Sequence, residues 1–277
     1  MRTVFGSWKY IFKNIWFLLP FAVVPAVFMS LSLDYQCVRS VWGKFFAGDV
    51  SNELRADFLE LFRAWSFIRV DSWLGLVYSI LAILSVIFFM SLLLAFVEKH
   101  MRLGKRTLSG IGAQFVNNLP SVIFAALAYL VLYEVWAVVL SAVMFAVSEI
   151  SAPATVYAAD VIFILIFAFV LVYLSTILYL WLPCRQMTGF RFFDAFLYSY
   201  RLTVGVRGKL LLSFSISLAA LFILLCGCSF LPSAVFYIVG VAAFALLFLN
   251  FCVRMEAVYF ETDKLDREDV LRHKWEV

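Results

Sequence analysis

The sequence predicts an all-α, polytopic membrane protein with six transmembrane helices, and three observations carry that prediction. Hydrophobic residues make up 65% of the 277-residue chain and charged residues only 14%, against about 25% charged in ordinary soluble domains. Six separate apolar runs approach or exceed the ~20 residues that a helix needs to cross a bilayer core. Lysine and arginine gather beside alternate gaps between those runs, the pattern by which charge sets orientation. Alternating segments of about ten residues, which a membrane β-barrel would require, are missing.

The chain begins with an amphipathic stretch over residues 3–16. Val4, Phe5, Trp8, Ile11, Phe12, Ile15 and Trp16 share one face at helical spacing, with Lys9 and Lys13 opposite. Such a helix suits the inner leaflet, its lysines reaching anionic headgroups. The first span, residues 15–33, is expected to be uncleaved and kinked by Pro20 and Pro25.

Residues 34–72 form an extracytoplasmic loop with five basic and six acidic residues between Asp34 and Asp71. Within it Leu54, Phe58, Leu61, Phe62 and Trp65 define a second amphipathic helix, capped by Ser51 or Asn52. The second span is residues 73–97. A basic elbow follows (Lys99, Arg102, Lys105, Arg106), then an apolar stripe at Leu108, Ile111 and Phe115, and the third span, residues 119–147. Glu134 near its centre costs ~2.5–3.5 kcal/mol on the insertion scale, which fifteen Leu, Ile, Val and Phe residues at ~0.3–0.6 kcal/mol each outweigh. A central carboxyl then faces other helices and not lipid.

The fourth span, residues 161–182, ends at Pro183. A third amphipathic stripe, Phe192, Phe193, Phe196, Leu197 and Tyr200, leads through Arg201, Arg207 and Lys209 into the fifth span, residues 210–228. The sixth span is residues 234–253, and residues 254–277 read as a cytoplasmic tail. The inner segments carry three, four, five and five basic residues, whereas the two short outer loops carry none. Both termini are therefore expected in the cytoplasm. Lys9, Lys13, Arg102, Lys105, Arg106, Arg207 and Lys209 are the expected headgroup contacts.

Chemistry is sparse. The two histidines, His100 and His273, fit no metal-ligand spacing and are expected to be solvated. The five cysteines form no CxxC pair and read as small apolar packers. No phosphate-binding loop or nucleophile motif occurs, and no two carboxylates are expected at one membrane depth. The chain is thus read as non-enzymatic, without cofactor or metal, and the basic residues do not form a nucleic-acid face. Membrane lipids are the expected partners, together with another membrane protein. The one ligand or ion candidate is a polar cavity built on Glu134 and Tyr133, completed by Tyr173 and Thr176 of the fourth span and Asn250 of the sixth.

Three stretches, starting at Phe5, Leu108 and Phe192, pass from an apolar-striped segment through Asn or Gly and basic residues into a span. This defines a threefold internal repeat of surface helix plus hairpin. The layout, with lead-in segments Trp8–Asn14 and Phe192–Lys209, resembles a group of six-span bacterial integral membrane proteins of unknown function. That group includes the membrane domain associated with glycerophosphodiester phosphodiesterases. The resemblance implies a bacterial inner-membrane protein. It implies no phosphodiesterase activity, since the chain has no room for the catalytic barrel. The function expected is support or regulation of a membrane complex, with small-solute or ion transport at Glu134 as the alternative.

Overall fold

The computed structural model describes residues 2–46, 57–104, 109–150 and 153–262. Among these there is no strand. Ten helices follow in order: α1 (Arg2–Ser32), α2 (Tyr35–Phe46), α3 (Phe58–Trp65), α4 (Trp73–Leu103), α5 (Ile111–Ile150), α6 (Pro153–Leu178), α7 (Trp181–Thr188), α8 (Phe192–Val204), α9 (Arg207–Ser229) and α10 (Ser233–Thr262). Six stretches are long and apolar enough to cross a membrane: Gly6–Ser32, Trp73–Arg102, Ile111–Glu149, Ala158–Thr188, Arg207–Ser229 and Ser233–Thr262.

The spanning helices alternate in direction. One end of the bundle, here the basal end, holds the start of α1 and the last turns of α4 and α10. Ser7 reaches Asn250, and Tyr10 reaches His100. The opposite, capped end carries α2 and α3. There Tyr35 donates to the Leu231 carbonyl at 2.6 Å, and Trp42 meets Phe222 edge-on. Around the bundle α4, α5, α6, α9 and α10 follow one another, and α1 fills the gap between α10 and α4.

The core lies in that gap. Ile11, Leu18, Ala22 and Ala26 of α1, Leu93, Leu94 and Val97 of α4, and Leu249, Cys252 and Val253 of α10 are fully buried. Small residues let the helices approach closely. A Cβ on Gly240 of α10 would lie 2.5 Å from the Ser30 hydroxyl of α1, so a larger residue at this crossing would displace that hydroxyl from the Tyr237 carbonyl it bonds. A smaller cluster of Leu61, Leu140 and Met144, flanked by Trp65 and Trp136, seats α3 on α5 near the capped end. On α5, Ala137 and Ser141 face this interior, whereas Ala142 and Ala146 are exposed.

Several local expectations change. Asn14 carries non-helical torsions inside α1 (φ −115°, ψ 16°), six residues before Pro20, an interruption that the sequence did not indicate. The Asn14 side chain donates to the Tyr10 carbonyl at 2.9 Å, satisfying an acceptor at the interruption. The fourth span is interrupted between α6 and α7, because the ring of Pro183 is incompatible with the carbonyl four residues earlier, at Tyr179. The second repeat unit has no separate surface helix, since Ile111 and Phe115 already belong to α5. Leu108, Ser51, Asn52 and Leu54 lie outside the described residues. Helix α8 exists, but its buried face is Ala195, Ser199 and Thr203. Phe193, Leu197 and Tyr200 from the expected apolar stripe face outward. Finally, α10 continues to Thr262, past the boundary expected at Val253. Met255, Val258, Tyr259 and Phe260 extend its apolar pattern and are buried.

Candidate functional site

Glu134 sits on α5 beside the segment joining α3 to α4. Its Oε1 accepts the backbone N–H groups of Phe67 and Ile68, both at 3.0 Å, and its Oε2 accepts the Ser66 hydroxyl at 2.8 Å. The three donors are consecutive, so the carboxylate grips one short strap, residues 66–71. Hydrogen bonds to a charged acceptor contribute ~1.5–3 kcal/mol each when partly buried.

The same strap is tied to two further spans. The Arg69 N–H donates to the Ser79 hydroxyl of α4 at 3.1 Å. The Arg69 guanidinium forks onto Asp71, with Nε to Oδ1 at 3.1 Å and Nη2 to Oδ2 at 2.9 Å. It also reaches Asp34 Oδ2 and the Leu33 carbonyl just after α1, both at 3.3 Å. Asp34 in turn accepts the N–H groups of Gln36 and Cys37, holding the first turn of α2. The passage is tight. A Cβ on Gly75 would lie 2.8 Å from Arg69 Nε and 2.9 Å from Arg69 Cβ. The hydrogen bond from Arg69 holds the Asp71 carboxyl below its ordinary value, and the same bond raises the Arg69 guanidinium. Burial, reinforced by Asp34 and Glu60, pushes the Cys37 thiol up to about 11, so it stays protonated and unreactive near neutrality.

The other expected cavity residues do not gather at Glu134. Tyr133 adjoins it on α5, its ring against Trp136 at 5.4 Å. Tyr173 lies toward the basal side, under the Arg207 guanidinium at 5.9 Å. Thr176 is buried, and its hydroxyl donates to the Tyr173 carbonyl of its own helix at 2.7 Å. Asn250 is at the basal end, accepting from Ser7 at 3.4 Å. A cavity of about 30 Å³ lies between α5 and the α6–α8 region, but Phe124, Ala125, Leu178 and Phe196 make its lining apolar. Of the expected headgroup contacts, Lys9, Lys13, Arg102 and Lys209 are exposed and Arg207 is half-buried between Tyr200 and Tyr173. Lys105 and Arg106 lie outside the described residues, as does His273.

The basal end holds the polar groups that sequence reasoning missed. Glu98 of α4 accepts from Arg102 at 3.1 Å and from Gln114 of α5. Glu256 of α10 is fully buried, lies in the electrostatic field of Glu98, and offers two oxygens that no donor reaches. The two carboxyls thus act on one another across α4 and α10, a pairing that no sequence spacing indicated. Arg254, also fully buried, turns away from Glu256. It donates to the Ser213 hydroxyl of α9 and stacks over Phe214 at 4.8 Å. His100, expected to be solvated, is hydrogen-bonded to the Tyr10 hydroxyl at 2.5 Å. The available signal was the run Met255–Phe260, whose apolar residues continue at helical spacing past Arg254.

Six bilayer-length helices around a buried apolar core define a multi-pass integral membrane protein. No family model, curated protein or solved structure matches the chain.

Proposed function

We propose that this chain is a non-enzymatic membrane subunit that supports or regulates a membrane complex through its capped end. The observation that carries the reading is the strap: Glu134, Ser79 and Arg69 fasten residues 66–71 to α5, α4 and the end of α1. Ordering backbone costs ~1–2 kcal/mol per residue. Fastening the segment to three spans offsets that cost and gives α3 a constant position, as a docking surface requires. A gate would instead have to open. Ion or solute transport at Glu134 is the weaker reading, because both carboxylate oxygens are already engaged by the strap. The bacterial inner membrane, with both termini cytoplasmic, is the proposed setting.

The test is site-specific photo-crosslinking in native membranes from Leu59, which is 62% exposed on α3. One reproducible partner, lost when Glu134→Ala frees the strap, is the expected result. Recovery of the uncrosslinked chain alone from every exposed α3 position would overturn the reading.

A further inference from the structure

A charged side chain held away from water is costly unless an opposite charge or a hydrogen-bond partner meets it. Arg207, the first residue of α9, is such a group. Its guanidinium lies 4.8 Å from the centre of the Tyr200 ring on α8 and 5.9 Å from that of Tyr173 on α6. Its Nε and Nη2 are shut in and meet no acceptor, which leaves Nη1 as the open edge of a half-buried side chain. The two rings hold the cation in place but do not neutralise it. Lys9 and Lys13, by contrast, are exposed, so water can solvate their charges.

Both rings belong to outward apolar faces. On α8, Phe193, Leu197, Tyr200 and Val204 recur at helical spacing and are all exposed. On α6, Ile166, Phe169 and Tyr173 do the same. Lipid covers such faces in a membrane protein. Helix α9 has twenty-three residues and is about 35 Å long, so its first residue lies at the edge of a ~30 Å hydrocarbon slab, the level of lipid phosphates. The surrounding segment, residues 189–210, holds Arg191, Arg201, Arg207 and Lys209 against one acid, Asp194. A soluble anion would have to shed water beside these apolar faces. A lipid phosphate arrives with chains that cover them.

We propose that Arg207, held between Tyr173 and Tyr200, binds the phosphate of one anionic phospholipid whose chains lie along the outward faces of α6 and α8. The exposed lysines share exchanging headgroups, whereas this position keeps one lipid. The basic surroundings favour a headgroup of net negative charge over one that also carries an ammonium. Inorganic phosphate offers the same oxygens, and the experiment separates the two. The site lies away from the strap, so this inference stands or falls independently of the capped-end function.

The full-length protein is placed in phosphatidylcholine nanodiscs with and without phosphatidylglycerol, and the lipids it retains on release are counted by native mass spectrometry. The expected result is one phosphatidylglycerol per chain, kept in preference to phosphatidylcholine. The unfolding midpoint should be higher by about 2–4 °C in the phosphatidylglycerol discs. Arg207→Gln should lower the retention about tenfold through loss of a charged hydrogen bond, and Lys13→Gln should leave it in place. If Arg207→Gln does not fold, Tyr200→Leu, which removes one of the two rings, should weaken the retention instead. Inorganic phosphate that raises the midpoint in pure phosphatidylcholine discs and displaces the retained lipid would assign the site to a soluble anion and overturn the proposal. A wild-type protein with no preference for phosphatidylglycerol, or a folded Arg207→Gln that retains it undiminished, would overturn it as well.

Discussion

Two halves of the bundle are built on different terms. In α4 half of the most apolar window is buried within the protein, and in α10 44%, whereas in α6 the figure is 11% and in α9 17%. The α1–α4–α10 trio uses small residues and full burial, and it also contains Glu98, Asn250, Arg254 and Glu256. The α5–α6–α9 side is no less hydrophobic, but it turns Val131, Leu165, Ile166, Phe169 and Ile216 outward. Hydropathy alone therefore does not locate a membrane protein's core. Lipid is as apolar as leucine, so close packing and satisfied polar groups distinguish interior from exterior.

The contrast can be broken most severely from within the trio. Leu94→Ala on α4, at a fully buried position, should cost ~2–5 kcal/mol through lost packing and a cavity. It would be read as a lower unfolding midpoint in detergent or nanodiscs. Glu134→Ala comes next. It leaves the Phe67 and Ile68 N–H groups without their acceptor, at ~1–3 kcal/mol for each buried group. The expected outcome is local: residues 66–71 become protease-sensitive and exchange amide hydrogens faster while the trio stays protected.

Acidification should have a smaller effect on the same strap. The Asp71 carboxyl is depressed in the folded state, chiefly by its hydrogen bond from Arg69. Its stabilisation is therefore complete above the ordinary aspartate value of 3.8 and is lost as pH falls through the lower folded value. Proteolysis with an acid-stable protease across that range should show the strap opening, and Asp71→Asn should weaken the dependence. The smallest effect belongs to the periphery. Leu165→Ala on α6, where the side chain is 65% exposed, should shift stability by less than ~0.5 kcal/mol. A loss comparable to that of Leu94→Ala would mean that α6 has a packing partner.

Element placement was largely legible in the sequence, because bilayer-length apolar runs and stripes such as Phe58, Leu61 and Phe62 are local patterns. Helix α2 was not. Its first turn is held by Asp34, itself tied to Arg69, thirty-five residues away. Glu134 stood out as an isolated acid, but its partners are backbone N–H groups, which no residue-type pattern displays. The strap's own side chains carried a weak sign, Arg69 and Asp71 two residues apart before the Ser72 cap of α4. Glu256 was hidden for the opposite reason. A charged residue next to polar sequence reads as solvated, and only the helix's continuation to Thr262 places it inside.

Helix α5 has forty residues and is therefore about 60 Å long, whereas α9 has twenty-three and is about 35 Å long. A hydrocarbon slab of ~30 Å suits the shorter helix but not the longer one. On the α5–α6 flank the lipid must thicken, or the hairpin must lean or stand clear of the surface; on the α9 flank none of this is needed. Where thickening supplies the fit, the sheet around the protein takes a lopsided contour, and lateral position in a membrane follows local thickness.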